Sequence, residues 1–134
     1  MGHVHKELTI AANPDAVWNA IRDTGRIHDR LARGFVVETT LDGDTRTVTF
    51  ANGFVAKERI IDLNDGARRI AYSASSPRLS HHHASIQAFP DAAGSRVVWI
   101  ADLLPDEAVR TVESMMNDGC AAMKATLEAA SITT

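Results

Sequence analysis

Hydrophobic and polar residues alternate along most of this chain with a period of two. In residues 3–11, Val4, Leu8 and Ile10 share one side, as in a half-buried strand. The same period returns at residue 35 and persists to residue 104, interrupted by turns rich in Gly, Asn, Asp and Pro. It predicts six further strands, over residues 35–41, 45–51, 54–63, 69–75, 81–89 and 95–104.

A helical period appears in two other stretches. Asn13 and Pro14 suit the N-cap and the first position of a short helix, and a second short helical turn is predicted over 26–32. The long helix covers 104–130, with Pro105 and two acidic residues at its start. One side of it is an apolar stripe of Val109, Val112, Met116, Gly119, Cys120, Met123 and Leu127.

The order of these elements predicts an α+β fold in a single domain spanning 1–134. Strands joined by short turns become antiparallel neighbours, and a sheet of about seven such strands twists enough to curl. A curved sheet wrapped around the long C-terminal helix buries the apolar stripe, and the two short helices after the first strand close one end. This arrangement predicts a cavity between sheet and helix, with the stripe as its lid.

Composition narrows the function classes. The 14 Lys and Arg residues are outnumbered by 17 Asp and Glu, and no basic run occurs, so we expect no nucleic-acid partner. No apolar run reaches the length of a membrane span, and the N-terminus lacks the pattern of a signal peptide. We therefore expect a cytoplasmic protein without a membrane span.

Cysteine usage and motifs argue against a bound cofactor. Cys120 is the only cysteine, which excludes an intrachain disulfide and multi-cysteine zinc sites, and its place in the stripe suits a small buried residue better than a nucleophile. The chain has no glycine-rich phosphate loop and no activated-serine motif. We expect neither a tightly held nucleotide nor a metal.

The histidine run 81–83 offers the most distinctive candidate chemistry. If a regular hairpin pairs Phe89 with Arg96, then His83 lies opposite Asp102, and His82 points into the cavity while that pair points outward. A single bulge would reverse the faces. Either a histidine oriented by Asp102 acts as general acid or base at the cavity mouth, or the pair is a structural hydrogen bond. The candidate catalytic residues are His82, His83 and Asp102.

A second polar group lies on the middle strands. If Glu58 and Tyr72 point inward, the buried carboxylate requires a partner such as Arg46, and the cavity gains one polar anchor. The alternative is a solvated ladder of ion pairs on the convex face, including Arg59. The sequence leaves both open.

Further ligand-binding candidates are aromatic or lie in the helix. Trp18 suits a core anchor, whereas Trp99 either packs on the long helix or lines the pocket. Gly119 lowers helix propensity by about 1 kcal/mol relative to Ala, which predicts a close approach of ligand or backbone there. The ligand-binding candidates are Arg46, Glu58, Tyr72, Trp99, Val112, Met116, Gly119, Cys120 and Met123.

Several segments resemble a known family. They are the Ala-Asn-Pro-Asp-Ala-Val-Trp motif ending at Trp18, the Gly-Phe-Val-Ala-Lys-Glu segment at 53–58, the strand at 69–72 and the stretch 97–105. With the element order, they resemble the START-like, SRPBCC superfamily of polyketide cyclase/dehydrase and lipid-transport proteins with the helix-grip fold. In the segment after the first helix, where many relatives carry aromatic or proline residues, this chain has a polar stretch at 23–30.

The resemblance implies binding of a hydrophobic or aromatic small molecule of lipid or polyketide type in the cavity, and it leaves the reaction open. One hypothesis adds proton transfer of the cyclase or dehydratase kind. A second is a non-enzymatic carrier or sensor, and a third is an accessory domain that binds a protein. A homodimer is one expected oligomeric state.

Overall fold

The computed structural model describes residues 2–132, which form seven strands, two α-helices and two short helical turns. The strands are β1 (Gly2–Ile10), β2 (Val36–Asp42), β3 (Thr45–Phe50), β4 (Val55–Asn64), β5 (Arg69–Ser75), β6 (His81–Asp91) and β7 (Gly94–Leu104). The helices are α1 (Pro14–Arg22) and α2 (Val109–Ile132), and the short turns span Ile27–Leu31 and Asp106–Ala108.

All seven strands join one antiparallel sheet in the order β1-β7-β6-β5-β4-β3-β2. The sheet curves around α2, which confirms the predicted fold. The predicted register of β6 and β7 is also confirmed, since Phe89 pairs with Arg96 and His83 with Asp102. The connection between these strands is tighter than predicted, because Pro90 stays in the ladder opposite Ser95.

Local signals place both helices close to their predicted positions. Asn13 caps α1 with its side-chain oxygen, which accepts from the amide of Asp15 at 2.7 Å, and Pro14 follows at the first turn. The long helix differs at its start, where Asp106–Ala108 forms a tighter 3₁₀ turn before α2 begins at Val109. Such tightening is common at helix ends.

The two halves of α2 lie differently on the sheet. The C-terminal half is tied down, because Lys124 donates to the carbonyl of Thr9 at 2.7 Å and Glu128 accepts from the amide of Ala11 at 2.8 Å. Met123 and Leu127 are buried there. In the N-terminal half Val112 is only partly buried. This difference leaves space between the N-terminal half of α2 and the sheet.

Within residues 2–132, no helix combines the length and the apolar character that crossing a bilayer requires.

Candidate ligand-binding site

A cavity of about 870 Å³, here called the outer cavity, lies between the N-terminal half of α2 and the concave face of the sheet. Its walls are mainly apolar, and its polar floor is formed by Glu58, Tyr72 and His82. The apolar wall residues include Phe35, Phe50, Phe54, Leu79, Trp99, Val112, Met115 and Met116. The volume falls within the range of small-molecule sites, and an apolar wall with a few convergent polar groups is their usual construction.

A smaller space of about 60 Å³, here called the inner pocket, continues toward the closed end of the sheet. Glu58, Tyr72 and Trp99 line both spaces. Arg46, Gly119 and Met123 line the inner pocket alone of the two. These three side chains, together with Phe35 and Phe50, which also line both spaces, therefore stand at the junction, where the end of a ligand in the outer cavity would meet the polar floor.

Arg46 and Glu58 form a buried ion pair at this junction. They are direct cross-strand neighbours on β3 and β4, and Arg46 Nε donates to Glu58 Oε1 at 2.8 Å. Their side chains are 4% and 10% exposed. Both side chains of this pair therefore point inward, which was one of the two alternatives that the sequence left open. Arg59 points outward and pairs with Asp44. The pairing satisfies the charge of a carboxylate that burial would otherwise disfavour.

Tyr72 lies against this ion pair and against Trp99. The Arg46 guanidinium carbon is 5.1 Å from the centroid of the Tyr72 ring, and Trp99 Nε1 donates to the Tyr72 hydroxyl oxygen at 2.9 Å. Burial raises the pKa of Tyr72 well above its ordinary value, and the charge of Glu58 adds to that rise. The hydroxyl therefore stays protonated at neutral pH.

His82 lies beside Tyr72 where β5 and β6 separate. Backbone pairing of these strands ends at Tyr72 and Ala84, and beyond this point side-chain hydrogen bonds connect the two strands. Ser73 Oγ donates to the His82 carbonyl at 2.6 Å, and His82 Nδ1 accepts from the amide of Ala74 at 3.0 Å. Desolvation lowers the pKa of His82, so the ring is neutral at pH 7.

His83 and Asp102 lie on the opposite face of the sheet from His82. They are cross-strand neighbours, as predicted, but Asp102 forms its side-chain hydrogen bond with a residue of β1. His3 Nδ1 donates to Asp102 Oδ1 at 2.7 Å, and these two side chains are 55% and 43% exposed. Of the three candidate catalytic residues, only His82 lines the outer cavity.

Gly119 makes room for an indole ring. A Cβ atom built on Gly119 would lie 2.9 Å from Trp99 Cζ3 and 3.2 Å from Phe35 Cε2. The predicted close approach exists, but the neighbour is the Trp99 ring where a ligand or backbone was expected. Val112 and Met116 line the outer cavity, as the stripe predicted.

Cys120, like Val109 and Leu127 of the stripe, lines neither space. It is half-buried, and desolvation raises the pKa of its thiol, which disfavours the reactive thiolate. Trp18 also lies outside the lining of the outer cavity: it is a buried residue of α1, and its Nε1 donates to Asp65 Oδ1 at 2.9 Å.

Sequence reasoning missed an aromatic cluster in the cavity wall. The Phe35 and Phe50 ring centroids are 5.1 Å apart, and those of Phe50 and Phe54 are 6.0 Å apart. Three of the four phenylalanines of the chain thus gather near the β3–β4 turn. The available signal was the placing of Phe50 and Phe54 on either side of Asn52-Gly53, because aromatic residues crowded at a turn seldom all point to solvent.

The side chains able to bind a metal are dispersed. Within residues 2–132, no three His, Cys, Asp or Glu side chains stand together in a way that could hold a metal ion.

Comparisons with known proteins agree with this architecture. A family model described as polyketide cyclase/dehydrase and lipid transport matches residues 1–128. Among solved structures, the protein XoxI from Bacillus cereus is 23% identical with a TM-score of 0.84, covering 95% of this chain and 96% of that one.

Two further structures with this fold are aromatase/cyclases. ZhuI from a Streptomyces species is 20% identical with a TM-score of 0.72, covering 97% of this chain and 93% of its own. The di-domain protein BexL is 17% identical with a TM-score of 0.80, covering 96% of this chain and 47% of its own. No curated protein matches the chain in sequence.

Proposed function

Because the chain belongs to the polyketide cyclase/dehydrase and lipid-transport family, we propose that it binds one apolar, aromatic small molecule in the outer cavity. This membership also confirms the resemblance to the START-like superfamily. The observation that carries the proposal is an apolar wall converging on the polar floor of Glu58, Tyr72 and His82. The wall supplies hydrophobic affinity, and the floor orients one polar end of the ligand.

The aromatic wall favours a flat ligand of lipid or polyketide type. The Phe35, Phe50 and Phe54 rings lie edge-on or tilted toward one another on one side, and Trp99 lies at the base. Such rings prefer offset or edge contacts with another aromatic ring. Met115 and Met116, contributed by α2, are unbranched and adapt to the outline of a ligand.

Proton transfer at His82 is the chemistry that this site supports best. The ring is neutral and only 9% exposed, and it lies at the floor of the outer cavity, where a polar end of the ligand would bind. The neutral ring can take a proton from solvent, and the imidazolium so formed, made more acidic by its lowered pKa, can pass a proton to a ligand oxygen and return to the neutral form. This would place the protein among cyclase- or dehydratase-type enzymes.

A non-enzymatic carrier or sensor is the second candidate, and a specific contact favours it. Arg46 Nε donates to Glu58 Oε1 at 2.8 Å, so this carboxylate oxygen is already engaged. On the floor of the outer cavity, His82 then has no free proton-transfer partner, since Tyr72 stays protonated. Binding without turnover fits that arrangement.

Binding is tested directly with the intact protein. We would purify it without detergent, look for a retained small molecule by native mass spectrometry, and titrate the emptied protein with the fluorescent probe N-phenylnaphthylamine. Val112→Trp places an indole ring in the outer cavity and should weaken probe binding, whereas Val37→Trp on the exposed edge strand should leave it unchanged. Equal probe affinity in the two variants would refute the assignment of the cavity.

A further inference from the structure

Tyr72 and His82 share the floor of the outer cavity, and their ring centroids are 5.9 Å apart. Each ring carries one polar atom that is already committed to a partner. The Tyr72 hydroxyl oxygen accepts from Trp99 Nε1, and His82 Nδ1 accepts from the amide of Ala74. These two bonds determine which hydrogen-bonding role remains to each ring.

For His82 the remaining role is that of a donor. A neutral imidazole carries one proton, and Nδ1 cannot hold it while accepting from a backbone N–H. The proton is therefore on Nε2. Among residues 2–132, the fully buried side-chain N and O atoms without a hydrogen-bond partner are His28 Nδ1 and Thr39 Oγ1. His82 Nε2 is not one of these buried atoms, and His82 lines the outer cavity, so its Nε2–H opens to the cavity.

For Tyr72 the same logic applies to the hydroxyl. Its oxygen receives the indole N–H at 2.9 Å, so the hydroxyl proton is left to point elsewhere. Glu58, the nearest carboxylate, is held by Arg46 at 2.8 Å. The Tyr72 hydroxyl proton can therefore be donated to an acceptor on a ligand at the junction of the two spaces.

We propose that Tyr72 and His82 form a pair of fixed hydrogen-bond donors that receives a carbonyl oxygen of the ligand, with Trp99 and the Ala74 amide as positioning groups. This inference rests on the proposed function and adds the chemical class of the ligand: an aromatic or conjugated ketone. A carbonyl oxygen has two lone pairs in one plane and can accept from both donors. Because their partners already hold both donors in place, ligand binding costs these side chains little conformational entropy.

The test uses two neutral ligands of nearly equal shape, acetylnaphthalene and isopropenylnaphthalene, in which a C=O group is replaced by C=CH₂. The unmodified protein should bind the ketone about tenfold or more tightly than the alkene, because two hydrogen bonds are added. Tyr72→Phe keeps the ring beneath Arg46 and removes one donor. It should reduce the preference several-fold while leaving alkene affinity nearly unchanged.

Trp99→Phe tests the positioning role. Loss of ring volume affects both ligands alike, so a purely structural role would leave the ketone-to-alkene ratio intact. Release of the Tyr72 hydroxyl should instead lower that ratio by roughly the amount seen with a lost neutral hydrogen bond, about threefold to tenfold. An unchanged ratio would overturn the positioning role of Trp99.

The state of His82 is read by nitrogen NMR of the ring, with its signals assigned by their loss in His82→Gln. We expect the neutral form with the proton on Nε2, and a proton on Nδ1 would overturn the donor pair. Equal affinity for the two ligands would overturn the pair but leave the proposed binding function standing. Failure of both naphthalenes to bind would overturn the inference and the aromatic-ligand function together.

Discussion

The indole ring of Trp99 on β7 packs directly on Gly119 of α2, with 2.9 Å between Trp99 Cζ3 and the position that a Cβ on residue 119 would occupy. Real Cβ atoms almost never approach so closely. The ring cannot simply turn aside, because its Nε1 is bonded to Tyr72 at 2.9 Å. The absence of a side chain at residue 119 thus decides where the cavity floor lies.

Gly119→Ala should therefore lower the free energy of unfolding. The gain in helix propensity is about 1 kcal/mol, and overpacking in a close-packed interior costs about 1–3 kcal/mol. We expect a net loss of about 1 kcal/mol, measured by urea denaturation, with a shift in tryptophan emission as Trp99 moves. Asn117→Ala, on the exposed side of the same helix, is the control and should be stabilising or neutral. A more stable Gly119→Ala protein with unchanged emission would contradict the contact.

Removing one member of the Arg46 and Glu58 pair should be strongly destabilising. Either Arg46→Ala or Glu58→Ala leaves a buried charge without its partner, and such changes cost about 3–5 kcal/mol. The double variant Arg46→Met/Glu58→Leu restores apolar packing and should recover much of the loss. Urea unfolding of the three proteins measures this. If the single variants lost less than about 1 kcal/mol, as exposed pairs do, the pair would have to be solvated.

His82→Ala and His83→Ala should behave differently, although the residues are adjacent. His82 lines the outer cavity and is 9% exposed, while His83 lies on the other face. We expect His82→Ala to weaken binding of an oxygen-bearing ligand several-fold, which is the scale of one neutral hydrogen bond, and His83→Ala to leave it unchanged. Calorimetric titration of both variants checks this. Equal weakening by both variants would contradict the assignment of His82 alone to the cavity, and weakening by His83→Ala alone would mean that the faces of β6 are assigned the wrong way round.

Asp102→Asn should change stability by less than about 1 kcal/mol, since exposed ion pairs contribute little. The same variant should retain ligand affinity, because the Asp102 carboxylate bonds His3 on the face away from the cavity. Thermal unfolding and ligand titration measure the two quantities. A large loss of affinity in Asp102→Asn would restore the catalytic role predicted from sequence.

The pKa of His82 also predicts how stability depends on pH. Desolvation places the pKa of His82 in the folded protein below its ordinary value of 6.5. The unfolded chain therefore binds the proton more readily, and the contribution of His82 to stability is complete above that value and is lost as the pH falls toward the folded pKa.

This dependence is isolated by comparing the intact protein with His82→Gln in urea titrations on both sides of pH 6.5. The charged and titratable groups that line the cavity with His82 are Glu58, Tyr72, Arg78, Glu107, Arg110 and Asp118. The adjacent His81 and His83 also act on its charge, and all of these groups are retained in the variant. The intact protein should lose more stability on acidification than the variant does. Parallel pH profiles would show that His82 is solvated.

The sequence alone determined the order of the elements and much of the sheet. Alternation of period two assigned β1 and β7, and the short connection after Phe89 specified the β6–β7 register down to the opposition of His83 and Asp102. Asn13 and Pro14 located the start of α1. These features follow from contacts between residues close in the chain, whose geometry is determined by the backbone period and by turn chemistry.

Only the tertiary structure decided which polar groups meet. Glu58 takes the inward face beside Arg46, and Asp102 bonds to His3, 99 residues away, because β1 closes the sheet against β7. The separation of β5 from β6 after Tyr72 exposes the Ala74 amide that fixes His82. Periodicity predicts which face of a strand or helix each residue lies on, but it does not predict which distant residue it contacts. Partners between distant segments are chosen by how the sheet curls and how α2 packs across it, and that requires the packing of the whole chain.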